Sequence, residues 1–177
     1  MRLKDKVAVI TGSGGTIGSV TAKKFAKEGA KILVTDINVE GGQKTVQEIK
    51  DFGGQAVFVE ADITKVAETE KVINSALDAF GGVDVLFNNA GTELVKSLHE
   101  YTEDDYHKIM DVHLKGGFFC LRYALPIMMK QGGGVIINMG SILGLSGWLK
   151  TPTYCAAKGA LVNLTRYVAL EYAPYNI

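Results

Sequence analysis

The chain has 177 residues, 47% of them apolar and 21% charged, which suffices for one domain with its own core. Its 19 Lys and Arg balance 19 Asp and Glu, so the basic excess of a nucleic-acid binder is absent. The two cysteines, Cys120 and Cys155, have neither paired spacing nor a nearby His pair, so neither a disulfide framework nor a metal site is expected.

The N-terminal segment MRLKDKVAVITG has no long apolar stretch before its first glycine, which argues against a signal peptide. The longest apolar region, GGFFCLRYALPIMM, is interrupted by Arg122 and Pro126 and is too short to cross a bilayer. A soluble, cytoplasmic protein in a reducing compartment is the expectation, with no membrane partner.

Short apolar runs recur at 6–10 (KVAVI), 31–35 (KILVT), 55–60 (QAVFVE), 83–87 (VDVLF) and 134–139 (GVIINM). Continuous β-branched runs of this length suit strands buried on both faces. Between them, Ile17, Val20, Thr21 and Phe25 make one helical stripe, and Val66, Ile73, Leu77 and Phe80 another. Longer helices are expected from about Tyr106 to Lys130 and from Tyr154 to Tyr172. The alternation predicts an α/β, Rossmann-like doubly wound parallel sheet of five strands, with helices on both faces and right-handed crossovers.

In chain order, the first motif is Thr11-Gly12-Ser13-Gly14-Gly15-Thr16-Ile17-Gly18, which follows a strand and opens a helix. Such a turn brings backbone N–H groups at a helix start up to a pyrophosphate. By itself the turn is a weak signal, since ordinary βα loops are also glycine-rich. The second strand ends at Asp36, whose carboxylate suits ribose hydroxyls and repels a 2′-phosphate. No Lys or Arg stands at Ser13, Gly15, Ile37 or Asn38, so NAD is favoured over NADP.

These residues resemble the short-chain dehydrogenase/reductase family, whose loop reads T-G-x-x-x-G-x-G. Thr11, Gly12 and Gly18 match, and Thr16 stands where the middle glycine is usual. The resemblance extends to Ala61-Asp62-Ile63, similar to the family's adenine-contacting segment, and to Asn88-Asn89-Ala90-Gly91, its NNAG motif. It implies cofactor contacts from Gly12, Ser13, Thr16, Ile17, Gly18, Asp36, Asp62, Ile63, Asn89, Ala90 and Gly91, with Tyr154 and Lys158 at the nicotinamide end.

The family's Y-x-x-x-K appears as Tyr154 to Lys158, and Ser141 lies thirteen residues before Tyr154, where the resemblance implies a catalytic serine. On a helix the phenol and the ammonium share one face. The chemistry suits them: a free phenol ionises near pH ~10, about three units too high for a base at neutrality. A cation ~4 Å away is worth ~4 kcal/mol at an effective dielectric near 20, which covers that gap. Ser141 would bond the substrate oxygen and stabilise its developing charge.

The implied activity is an NAD-dependent oxidoreductase acting on a secondary alcohol or ketone. Where the family usually carries Asn on the long helix, this chain reads Val112-His113-Leu114. The expectation is that His113 keeps the relay role of that residue's main-chain carbonyl; the alternative is a histidine that fills a gap. His99 and His107 are expected at the surface. Cys155 is expected to be a small packed residue, and Trp148 and Leu149 either meet substrate or cover the core.

In the family a sixth strand, a substrate lid and a seventh strand follow a segment like Glu171–Ile177. The 177 residues are therefore expected to be one dinucleotide-binding and catalytic domain of a truncated or incompletely ordered longer enzyme, with the fifth strand at a sheet edge. An inactive NAD-binding module or sensor remains the second reading. The family's long helices pack between subunits, which implies a homodimer or homotetramer.

Overall fold

A computed structural model describes residues Met1–Ile177. Five parallel strands run in the order β3-β2-β1-β4-β5, with β1 Val7–Thr11, β2 Lys31–Asp36, β3 Gln55–Glu60, β4 Val85–Asn88 and β5 Val135–Asn138. Helices α1 Thr16–Lys27, α2 Val39–Asp51 and α3 Val66–Phe80 connect the first four strands. From β4 the chain enters α4 Glu103–Met110, a π-helical turn Asp111–Gly116 and α5 Gly117–Gln131; α6 Pro152–Glu171 follows β5.

The strand runs are unbroken because both sheet faces are covered. Val7 and Val9 point to the face packed by α3 and α5, while Ala8 and Ile10 point to the face packed by α1 and α2. Ile10, Ile32, Leu33 and Leu86 are fully buried, each stabilising the fold by about 1.5–3 kcal/mol. The sheet reverses direction between β1 and β4, and there the strands' C-terminal ends open a crevice.

Two expected stripes differ from what is found. Ile17 and Val20 are more than half exposed, and α1 turns Gly18, Ala22 and Ala26 to the core instead. Small residues at that spacing let the helix lie close against the strand ends, which the bulkier set would prevent. On α3 the buried face is Thr69, Val72, Ile73 and Ala76, while Leu77 is 40% exposed. The sequence ranks residues by hydrophobicity, whereas approach distance selects small ones.

The long helix is continuous from 103 to 131 but winds wider over 111–116. Single wide turns of this kind are frequent at functional sites. β5 is the outer strand at its edge, as expected, with Val135 54% and Ile137 38% exposed.

Candidate active site

The crevice is a cleft of about 1110 Å³ running from the glycine turn to the start of α6. Its floor is built by the glycine turn. Gly12 has φ +65°, a left-handed conformation that side chains rarely adopt. At Gly18 a Cβ would lie 2.3 Å from the Gly12 carbonyl oxygen, so only glycine lets α1 begin this close. No side chain caps α1, and the N–H groups of Thr16, Ile17 and Gly18 find no acceptor in the chain. Unpartnered donors at a helix start form an anion site.

Asp36 lies at the far end, one carboxylate oxygen accepting from the Gly14 N–H at 2.8 Å and the other from the Asn38 N–H at 2.9 Å. It therefore fixes the shape of the glycine turn as well as lining the cleft. Asp62 and Ile63 line the same end, and Asp62 accepts from both the N–H and the hydroxyl of Thr64.

Ser13 corrects the expectation. Its hydroxyl donates to the Ile10 carbonyl at 2.7 Å and accepts from the Thr35 N–H at 2.9 Å, and the residue is fully buried off the cleft surface. The turn directs its side chain into the gap between β1 and β2, where it satisfies strand-end backbone groups.

Asn89 and Ala90 are tied to the glycine turn through Thr11, whose hydroxyl accepts both of their N–H groups at 3.0 Å. The Asn89 amide donates to the Thr11 and Gly12 carbonyls at 2.9 and 3.2 Å. Thr11 was not among the candidate residues; its place at the end of β1, facing β4, is the signal for its role.

At the catalytic end, Ser141, Tyr154, Lys158 and His113 all line the cleft. The Ser141 hydroxyl oxygen accepts from the Leu143 N–H at 3.1 Å, which leaves its own proton for a ligand oxygen. Tyr154 and Lys158 share a face of α6, with the ammonium 5.5 Å from the phenol ring centroid. Lys158 is 2% exposed and donates to the Met139 carbonyl at the end of β5. Burial pulls its pKa down to about 8. The Met139 anchor is a backbone group that no side-chain pattern announces.

His113 is buried in the π-helical turn. Its Nε2 lies 2.7 Å from the Thr92 carbonyl oxygen and 3.1 Å from the Thr92 nitrogen, while Nδ1 has no partner. Burial lowers its pKa and the nearby Lys158 charge adds to that, against the opposing Thr92 bond. A Cβ on Gly91 would lie 2.5 Å from the His113 Cε1, so the glycine of the NNAG turn makes room for this ring.

A polar chain locks the strands to α6: the Asn88 amide donates to Asn138 at 2.9 Å, and the Asn138 amide donates to the Thr165 hydroxyl at 2.9 Å. The paired register of Asn88 and Asn138 is the signal that could have found it.

His99 and His107 are exposed, as expected, and both cysteines are free. Trp148 and Leu149 line the cleft and are 70% and 82% exposed, so they do not cover the core.

A parallel sheet whose switch-point cleft joins an uncapped glycine turn to a Ser–Tyr–Lys cluster defines the Rossmann-like oxidoreductases. The short chain dehydrogenase family matches residues 6–177, and the chain belongs to it. It is similar to an uncharacterized oxidoreductase of Thermotoga maritima, 41% identical over 177 residues, covering 100% of this chain and 70% of the relative. A cyclohexanol dehydrogenase of Acinetobacter sp. strain SE19 is 37% identical over 99% of this chain and 70% of its own. A meso-2,3-butanediol dehydrogenase of Serratia marcescens is 39% identical over 97% of this chain and 67% of its own. A crystal structure assigned as a short-chain alcohol dehydrogenase of Sinorhizobium meliloti 1021 superposes with a TM-score of 0.94 at 35% identity, covering 98% of this chain and 69% of that one. The chain thus spans about two thirds of the length of the relatives it matches.

Proposed function

We propose that residues 1–177 form one dinucleotide-binding and catalytic unit that moves a hydride between NAD and a secondary alcohol or its ketone, with Tyr154 as general acid and base. The observation that carries this is the convergence of Ser141, Tyr154 and Lys158 on the cleft that starts at the uncapped glycine turn. The relatives named for cyclohexanol and butanediol support a secondary alcohol.

The residues present fit the cofactor. The N–H groups of Thr16, Ile17 and Gly18 would hold the pyrophosphate, Asp36 the adenosine ribose, and Asp62 and Ile63 the adenine. When bound, NAD supplies the hydride acceptor. The chain's own work is proton chemistry. Ser141, its hydroxyl oxygen already satisfied by Leu143, donates to the substrate oxygen. The Tyr154 oxygen removes the alcohol proton, and the resulting negative charge on that oxygen is stabilised by the Lys158 ammonium. Met139 holds the ammonium in place. His113 keeps the NNAG turn against the phenol side of the site, and the relay through its main-chain carbonyl stays part of the reading.

No helix is long and apolar enough to cross a membrane. A cytoplasmic location suits the two free cysteines. Exposed Phe118 on α5, with Tyr167 and Leu170 on α6, favours a homodimer or homotetramer through these helices, which light scattering measures directly.

The test compares the chain with Tyr154→Phe, following nicotinamide absorbance with a panel of secondary alcohols and NAD binding by calorimetry. Turnover should fall by about 10²–10⁴-fold in the variant while NAD affinity holds. Undiminished turnover in the variant overturns the role of Tyr154. NAD binding without turnover in either protein selects the second reading, a binding module, which the two-thirds coverage of the relatives keeps in play.

A further inference from the structure

Beyond the glycine turn, the catalytic end of the cleft has a charge pattern that the reaction itself does not require. Next to Ser141 the wall is made by Ile142, Leu143, Trp148, Leu149 and Val95. The two wall segments are held together, because the Lys96 N–H donates to the Lys150 carbonyl at 2.7 Å and so sets Val95 beside Leu149. The Thr151 hydroxyl donates to the Trp148 carbonyl, fixing the second segment onto the start of α6.

The cleft's charged side chains are Asp36 and Asp62 at one end, and Glu93 and Lys158 at the other. No arginine lines it, and Lys158 is buried on a backbone carbonyl beside Tyr154. Anionic substrates are held by arginine forks or exposed lysines, and none is present. A carboxylate or phosphate laid on this wall would lose its water to apolar side chains, with Glu93 adding repulsion.

Resting on the dehydrogenase reading above, we propose that the substrate is an uncharged, apolar secondary alcohol of alicyclic size, and that Glu93 with the Val95–Leu149 wall excludes anionic alcohols. The carbinol carbon sits at Ser141 and Tyr154, and the hydrocarbon body lies along Leu149, Val95 and Trp148.

Trp148 is the sole tryptophan of the sequence, so its fluorescence reports on this wall without any turnover. The chain is titrated, with and without NAD, with cyclohexanone and with 4-oxocyclohexanecarboxylate, which differ in the added carboxylate; the methyl ester of the latter is the neutral control. NAD binding is read separately by calorimetry. Cyclohexanone and the methyl ester should change the Trp148 signal saturably, with a Kd about tenfold or more below that of the carboxylate. Glu93→Gln should narrow that gap. Leu149→Ala should weaken cyclohexanone about three- to tenfold while leaving the NAD Kd in place.

Equal or tighter binding of the carboxylate overturns the proposal, and so does the absence of a saturable signal from every ketone. Loss of NAD binding with the ketone preference intact would instead strike the dehydrogenase reading and leave the selectivity of the wall standing.

Discussion

The imidazole of His113 stands edge-on to the phenol ring of Tyr154, with centroids 5.1 Å apart and planes at 84°. Such edge-to-face contacts favour ring pairs by about 0.5–1.5 kcal/mol. The ring thus joins three things: the helix that carries it, the Thr92 backbone after the NNAG turn, and the phenol. Its folded-state pKa lies below the ordinary histidine value, first because of burial. The unfolded chain therefore binds the proton more readily than the folded one. Stability is complete above pH ~6.5 and declines as pH falls through the folded value. Urea midpoints measured from pH 8 down to pH 5 should fall in the parent protein and flatten in His113→Asn. Parallel curves would show that this histidine does not titrate on unfolding.

Lys158 has the opposite consequence for a basic group. Burial lowers its folded pKa to about 8, so at neutral pH the fold carries an ammonium that water would hold better. Against an ordinary lysine this destabilises the native state by ~3 kcal/mol at pH 7, and the deficit closes as pH rises from about 8 towards 10.5. Lys158→Met should therefore be more stable than the parent at pH 7 by about 1–3 kcal/mol, with the advantage shrinking by pH 10 and turnover abolished. Denaturant melts of both proteins at the two pH values test the sign. A variant less stable than the parent at neutral pH would mean that the Met139 bond outweighs the burial.

Gly18 is where α1 approaches the glycine turn. Gly18→Ala sets a methyl 2.3 Å from the Gly12 carbonyl oxygen and 2.9 Å from the Asn89 amide nitrogen. The turn and the helix start must separate, at a cost of about 1–3 kcal/mol. Calorimetry should show NAD affinity reduced about tenfold or more, with a lowered Tm. Unchanged affinity would remove the first turn of α1 from the binding site.

Asp36 holds the Gly14 and Asn38 N–H groups and faces the adenosine end. Asp36→Ser keeps an acceptor there and removes the negative charge. The ratio of NADP to NAD affinity should rise about tenfold or more, with part of the change coming from weaker NAD. A constant ratio would assign Asp36 to shaping the turn alone.

The parts of this molecule that the sequence shows are those with one physical cause. Val7–Thr11 and Lys31–Asp36 read as strands because each buries both faces and so stays apolar throughout. Tyr154 and Lys158 come together because helical spacing alone brings them to one face. The misread positions answer to two demands at once. Ile17 looks like a core residue but lines the cleft, because α1 needs small residues where it meets the sheet. Ser13 lies inside the motif that suggests cofactor contact, yet local backbone groups between β1 and β2 claim its hydroxyl. The anchors of His113 and Lys158 are the backbone groups of Thr92 and Met139, which every residue type possesses. Only the folded path of the chain reveals them.

The wide turn at Asp111–Gly116 gives this region an uneven tolerance. Exchanging one side chain there leaves the spacing of the helix intact. Shortening the segment by one residue does not: regular winding advances about 100° per residue. One deletion would swing α5 about its own axis by roughly that angle. Cys120, Leu121, Ala124 and Leu125 would rotate off the sheet together, and the imidazole would leave Thr92. A change of length in this segment would therefore dismantle the core and the catalytic end in a single step, where a substitution would disturb only one of them.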